Sequence, residues 1–202
     1  MKEENTSNSK ILRIDHVSLA VNNYEKAVEF FTNILGAAPQ SQGAEGGQLE
    51  YFWHIFALGD LSRFEIIKKN IEKGSFLDNF LKDKEGGIHH MTLQTPDIEM
   101  TKKVLEDNNI PYFGYRDTGN NWKEIFIHPK DAFGVLLQIA EFRPNDWIAP
   151  SNKLPEGQKW AFTKDNEKYS LTFAHPGGGK VLFELDKEEI KELIHDLNTL
   201  VD

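Results

Sequence analysis

The chain states part of itself twice at one offset, and the residues that recur are of metal-ligating and proton-transferring types. Ile14-Asp15-His16-Val17-Ser18-Leu19 returns as Ile88-His89-His90-Met91-Thr92-Leu93, and Glu50-Tyr51-Phe52-Trp53-His54 returns as Glu124-Ile125-Phe126-Ile127-His128. From 16 to 90, from 50 to 124 and from 54 to 128 the shift is 74. A third pair, Phe64-Glu65-Ile66-Ile67 and Leu137-Gln138-Ile139-Ala140, lies one residue off that spacing, at 73. A fixed period means two copies of one supersecondary unit related by a pseudo-twofold axis. Residues near such an axis can meet as a single site.

With 202 residues there is room for one full-sized domain and a small extra piece. The absence of cysteine removes thiolate metal sites, disulfide scaffolds and cysteine nucleophiles, so any metal must be held by His, Asp, Glu or Gln. A net charge of −9 argues against a nucleic-acid surface. Residues 1–9 form a polar tail without the apolar core of a signal peptide, and no later stretch approaches membrane-spanning length. These features imply a cytoplasmic enzyme or binding protein with no nucleic-acid and no membrane partner.

Each copy carries the same order of elements. The first opens with a strand over Lys10 to Val21, then a helix bearing Tyr24, Ala27, Val28, Phe31 and Leu35 that stops at Gly36. A weakly marked strand over Ala38 to Gln42, a Gly-rich loop over Ser41 to Gly47, and strands over Gln48 to Leu58 and Arg63 to Lys68 follow. The second copy runs through a strand over Ile88 to Thr95 and a helix opened by Pro96-Asp97 and stopped by Pro111. Strands over Tyr112 to Tyr115, Trp122 to His128 and Gly134 to Phe142 complete it. The fold class predicted is α+β: two paired βαβββ modules, about 10–73 and 85–142, forming a curled mixed sheet over 10–142. A short amphipathic helix with Phe76, Leu77, Phe80 and Leu81 joins them. Residues 143–202 read as a linker and a ββα extension, with a hairpin turn at Pro176-Gly177-Gly178-Gly179 and a helix capped by Asp186.

Asp15-His16-Val17, Gly87-Ile88-His89-His90, and Phe126-Ile127-His128-Pro129-Lys130 followed by Gly134-Val135-Leu136-Leu137-Gln138 resemble the vicinal oxygen chelate (glyoxalase/bleomycin resistance) superfamily, and within it most of all the methylmalonyl-CoA epimerases. The likeness covers residues 10 to 142 and leaves the extension unexplained. It implies one divalent metal ion bound by one residue from each of four strands, with two open positions for neighbouring substrate oxygens.

Strand alternation supports that implication, because His16, Glu65, His90 and Gln138 can all face the concave side of a curled sheet. Two imidazoles, one carboxylate and one amide oxygen suit six-coordinate Co²⁺, Mn²⁺, Ni²⁺ or Zn²⁺. His89, next to His90 on the same strand, is expected to point the other way. The chain departs from the epimerase pattern in its ligands, since Glu65 stands where that family usually has Gln and Gln138 where it has Glu, and again at Glu124, where an apolar residue is usual.

Glu50 aligns with a catalytic Glu of the epimerases, and Glu124 is its partner at offset 74. Two carboxylates on opposite sides of one metal can remove a proton from one face of a carbon and return it to the other. The resemblance therefore implies an epimerase that enolises an acyl thioester or 2-oxo compound, carried on coenzyme A or glutathione, in a chain that can form a homodimer. A glyoxalase I-like lactoylglutathione lyase, with metal-bound Glu65 as base, is the enzymatic alternative. A metal-free binding or drug-resistance protein on the same fold is the alternative of another class.

Overall fold

The computed structural model describes residues 11–43, 49–59, 62–72, 74–119, 121–143, 145–146, 148–166 and 168–200. The N-terminal tail, most of the Gly-rich loop and Trp147 lie outside the described residues. The chain divides into two compact units, Met1–Trp147 and Ile148–Asp202.

The first unit contains both modules. Module one is β1 (Arg13–Val21), α1 (Tyr24–Glu29, continued by a π-helical turn over Phe30–Ile34), β2 (Ala38–Gly43), β3 (Tyr51–Leu58) and β4 (Ser62–Lys69). The Asn23 side chain caps α1 by accepting from the Lys26 N–H, and Gly36 ends the helical run at φ +73°, a conformation that costs glycine nothing. After α2 (Leu77–Leu81), module two repeats the order as β5 (Gly86–Thr95), α3 (Ile98–Asp107), β6 (Phe113–Asp117), β7 (Lys123–Ile127) and β8 (Leu137–Glu141). Asp97 caps α3 by accepting from the Met100 N–H.

The eight strands form one sheet in the order β2-β3-β4-β1-β5-β8-β7-β6. Read from the centre outward the order is symmetric. Antiparallel β1 and β5 meet in the middle, and each pairs in parallel on its other side, β1 with β4 and β5 with β8. Helices α1 and α3 carry the chain to the edge strands β2 and β6, from which antiparallel strands return to β4 and β8. Both helices bury their apolar sides on one face of the sheet. Tyr24, Ala27, Val28 and Phe31 pack on Phe56, Phe64 and Ile66, while Ile98 and Leu105 pack on Ile125, Ile127 and Ile139. On the other face, Leu77 and Leu81 of α2 close one end against Ala20 and Ile67. What remains of that second face carries the polar residues. Among the described residues no helix is long and apolar enough to cross a membrane.

Among the described residues the second unit holds a three-stranded antiparallel sheet, a 3-10 turn over Pro150–Asn152 and an α-helix. The hairpin of β10 (Lys168–Ala174) and β11 (Lys180–Leu185) and the helix α4 (Lys187–Asn198) match the ββα expectation, and β9 (Trp160–Asp165) adds a strand. Asp186 and Glu189 form a reciprocal capping box at the start of α4.

Candidate metal centre

The four candidate ligands occupy neighbouring positions at the middle of the sheet because of how β1, β4, β5 and β8 pair. His16 lies opposite Thr92 and Ser18 opposite His90 across β1 and β5. Ser18 also pairs with Glu65 on β4, and Thr92 with Gln138 on β8. The β1–β5 pairing skips one residue on each strand, Asp15 on β1 and His89 on β5. Such a bulge breaks the alternation that would otherwise turn consecutive side chains to opposite faces. Asp15 Oδ2 consequently sits 2.8 Å from His16 Nδ1, and His89 Nδ1 sits 2.9 Å from His90 Nδ1. The expectation that His89 turns away from His90 fails for this reason.

His16, Glu65, His90 and Gln138 are all buried. His16 Nε2 and His90 Nε2 stand 3.8 and 3.7 Å from Glu65 Oε2, and ligand atoms of these three residues lie within 4.8 Å of one another. Gln138 Oε1 accepts from Thr92 Oγ1 at 2.5 Å, and Thr92 Oγ1 is also 2.9 Å from His16 Nε2.

The electrostatics suit a cation. Burial alone would raise the pKa of Asp15, but the His16 hydrogen bond and the charges of Arg63, His16 and Arg13 outweigh it and hold the carboxyl well below the usual range. An ionised Asp15 can only accept, so His16 Nδ1 is the donor and Nε2 is left to ligate. Burial, reinforced by His16 and His89, lowers His90 well below the ordinary imidazole value and favours the neutral form that ligation requires. Burial likewise takes His89 down to about 4, with Lys84 adding to it. A neutral His89 can accept from His90 Nδ1. Burial pushes Glu65 up, against the opposing pull of His16 and of Ser18, whose hydroxyl donates to Oε2 at 2.6 Å. The donor set fits a divalent first-row ion.

Beside these ligands lies a cavity of about 250 Å³. Leu49, Tyr51, Trp53 and Ile55 form one wall, and Arg116, Trp122 and Glu124 belong to another. Asp15 and Arg63 also line it. Glu124 is 5% exposed and accepts from Arg116 Nε at 2.7 Å, Trp122 Nε1 at 2.8 Å and Gln138 Nε2 at 2.6 Å. Glu50 sits in a bend just before β3 and is absent from the lining, although Leu49 and Tyr51 on either side contribute to it.

Strand pairing also corrects the repeat. Ile55 pairs with Glu65 and Phe126 with Gln138, so β3 and β7 correspond at a shift of 71, from 55 to 126. Glu124 is therefore the counterpart of Trp53. The likeness at offset 74 over these strands is one of sequence and not of position.

Five residues that matter to the site were not singled out from the sequence: Asp15, Arg63, Tyr51, Arg116 and Thr92. For Asp15 a signal was present, because the repeat aligns Asp15 with His89, each immediately before a ligand histidine. The others depend on pairing between strands distant in sequence.

A family model described as the Glyoxalase/Bleomycin resistance protein/Dioxygenase superfamily matches residues 15–126. The mitochondrial methylmalonyl-CoA epimerase of Homo sapiens is 32% identical over 134 residues, spanning 64% of this chain and 73% of that protein. The ethylmalonyl-CoA/methylmalonyl-CoA epimerase of Cereibacter sphaeroides is 30% identical over 136 residues, spanning 64% of this chain and 97% of that protein. The crystal structure of methylmalonyl-CoA epimerase from Mycobacterium tuberculosis superposes with a TM-score of 0.60 at 25% identity, covering 68% of this chain and 92% of that one.

Proposed function

The chain belongs to the glyoxalase/bleomycin resistance protein/dioxygenase superfamily, and from that premise we propose that it is a metal-dependent epimerase of a coenzyme A thioester of the methylmalonyl kind. The observation that carries this reading is the convergence of His16 Nε2, His90 Nε2 and Glu65 Oε2, with Gln138 beside them, at the edge of one cavity. Co²⁺, Mn²⁺, Ni²⁺ and Zn²⁺ all suit this set. A divalent ion bound here supplies Lewis-acid stabilisation to an enolate oxygen.

Charge favours a malonyl-type acyl group over a neutral 2-oxo compound. Asp15, Glu65 and Glu124 are matched by Arg13, Arg63 and Arg116. Ligation takes each imidazole in its neutral form, so with an ion bound the protein groups balance and its two positive charges are left for the substrate. A substrate carboxylate and an enolate oxygen supply two negative charges. About 250 Å³ holds a short acyl group, while the side chain of Arg116, 42% exposed, reaches solvent from the same wall.

In the reaction the bond between hydrogen and the carbon next to the thioester carbonyl breaks. Its electron pair passes into the enolate and the proton passes to a carboxylate; a proton of solvent origin added to the opposite face then re-forms the C–H bond with inversion. The Glu124 carboxylate is already engaged, accepting from Arg116, Trp122 and Gln138. Glu65, on β4 and lining the same cavity, is the base assigned here, and this one-base route is closer to glyoxalase chemistry than a symmetric pair of Glu50 and Glu124. Tyr51, pushed up to about 12 by burial and by the charges of Glu65 and Glu124, stays protonated as a donor in the cavity wall. A cytoplasmic setting and a homodimer belong to the same proposal.

The test is to incubate metal-loaded protein with methylmalonyl-CoA in D₂O. One deuterium at the acyl C2, with interconversion of the two epimers, is the expected result. No uptake, with turnover of a glutathione hemithioacetal instead, would move the assignment to a lyase.

A further inference from the structure

Gln138 is an unsymmetrical ligand. Its oxygen can bind a cation and its NH₂ cannot, yet a rotation about the last side-chain bond exchanges the two. Something must select the end that faces the imidazoles. Thr92 does not, because a hydroxyl donates to an amide oxygen as readily as it accepts from an amide nitrogen. Glu124 does. Its carboxylate can only accept, and it takes a hydrogen bond from Gln138 Nε2 at 2.6 Å.

We propose that Glu124 is a positioning residue that locks the Gln138 amide with Oε1 toward His16, Glu65 and His90. The inference rests on reading those residues as a metal centre. Rotating the amide would set its oxygen against the Glu124 carboxylate and turn its NH₂ toward the cation. Glu124 is itself fixed, with Arg116 Nε on Oε1 at 2.7 Å and Trp122 Nε1 on Oε2 at 2.8 Å. The Trp122 ring stacks on Phe142 with centroids 5.0 Å apart and planes 11° from parallel. A chain of rigid donors thus holds the acceptor, and the acceptor holds the ligand.

The two residues are also complementary in sequence. A glutamate at 138 would need no such selection, because its oxygens are equivalent, and it would be repelled by Glu124. Gln138 with Glu124 is therefore a matched pair, in which the amide takes the ligand position and the carboxylate stands one strand away on β7.

The experiment titrates Co²⁺ into the metal-free full chain against a competing chelator, with thermal melting of each variant as a check on folding. Glu124→Leu should weaken Co²⁺ by about 10- to 100-fold, the usual cost of losing a residue that orients a ligand. Glu124→Gln, which keeps an acceptor oxygen but no charge, should stay within about threefold of the parent. The double variant Glu124→Leu/Gln138→Glu should recover affinity, because its ligand has no wrong end. If Glu124→Leu binds Co²⁺ as tightly as the parent, the proposal is overturned. It is equally overturned if Glu124→Gln loses as much as Glu124→Leu, which would assign the effect to charge, or if the folded double variant stays weak. Should the parent chain bind no Co²⁺, or His16→Ala bind it equally well, the metal centre itself fails, and that outcome is separate from the others.

Discussion

His89 Nδ1 lies 2.9 Å from His90 Nδ1, and this contact is the pseudosymmetric counterpart of Asp15 Oδ2 on His16 Nδ1 at 2.8 Å. In each module a bulge residue orients the ligand that follows it. His89 is held in turn between the rings of Phe76 and Phe80, with centroids at 5.2 and 4.9 Å. Replacing it with alanine should leave the fold intact and weaken metal binding by about tenfold, through loss of the acceptor at Nδ1. Chelator competition on the purified variant measures this, and an unchanged affinity would remove His89 from the site.

Asp15 has a second task, since Arg13 and Arg63 both pair with its carboxylate and all three side chains are at most 10% exposed. Asp15→Ala removes the shared anion from two buried guanidinium groups, and breaking a buried pair in this way costs about 3–5 kcal/mol. Urea unfolding of the metal-free protein should register that loss. A change below about 1 kcal/mol would place the arginines in water instead.

The paired-module architecture could be read from the sequence because it depends on local patterns: apolar periodicity, the caps at Asn23 and Asp97, the stops at Gly36 and Pro111, and the repeat itself. The ligand set was accessible for the same reason, since four strands and one alternation rule bring His16, Glu65, His90 and Gln138 to one face. What was not legible is what strand pairing decides. Bulges at Asp15 and His89 reverse the simple alternation, and the true shift of 71 between β3 and β7 replaces an apparent 74. The pairing of Glu124 with Gln138 and Arg116 likewise depends on neighbouring strands, which no spacing along the chain reveals. In the extension, the short segment Trp160–Asp165 lacks a strong alternating pattern and becomes a strand by pairing with β10.

On the helix-covered face, His54 Nδ1 lies 2.5 Å from the Tyr24 hydroxyl, and its ring sits 4.0 Å from that of Phe56. Burial lowers its pKa, so below the ordinary value of about 6.5 the unfolded chain binds more protons than the folded one. Stability from this group is therefore full above about pH 6.5 and is lost as the pH falls through the depressed folded value. His54→Gln keeps an acceptor for Tyr24 and cannot titrate. Urea midpoints from about pH 7.5 down to 5 should fall less steeply in that variant than in the parent; identical slopes would mean His54 takes up its proton freely in the folded state.

The two-base route through Glu50 and Glu124 and the one-base route through Glu65 part company at Glu50→Gln. Because Glu50 does not line the cavity, that variant should keep deuterium exchange into methylmalonyl-CoA within about threefold of the parent. A loss of about 100-fold or more, the scale of removing a general base, would return Glu50 to the reaction and revive the symmetric mechanism.

One measurement decides whether His16, Glu65, His90 and Gln138 together hold a metal ion. Elemental analysis of the purified full chain after loading with Co²⁺ or Zn²⁺ and removal of excess ion, in parallel with His16→Ala and His90→Ala, is the most direct test. About one ion per chain is expected in the parent and none retained in either variant, since each removes a ligand buried at the centre. Full occupancy in either variant, or a folded parent that holds no ion, would contradict a metal centre at these residues and leave a metal-free binding protein as the better description.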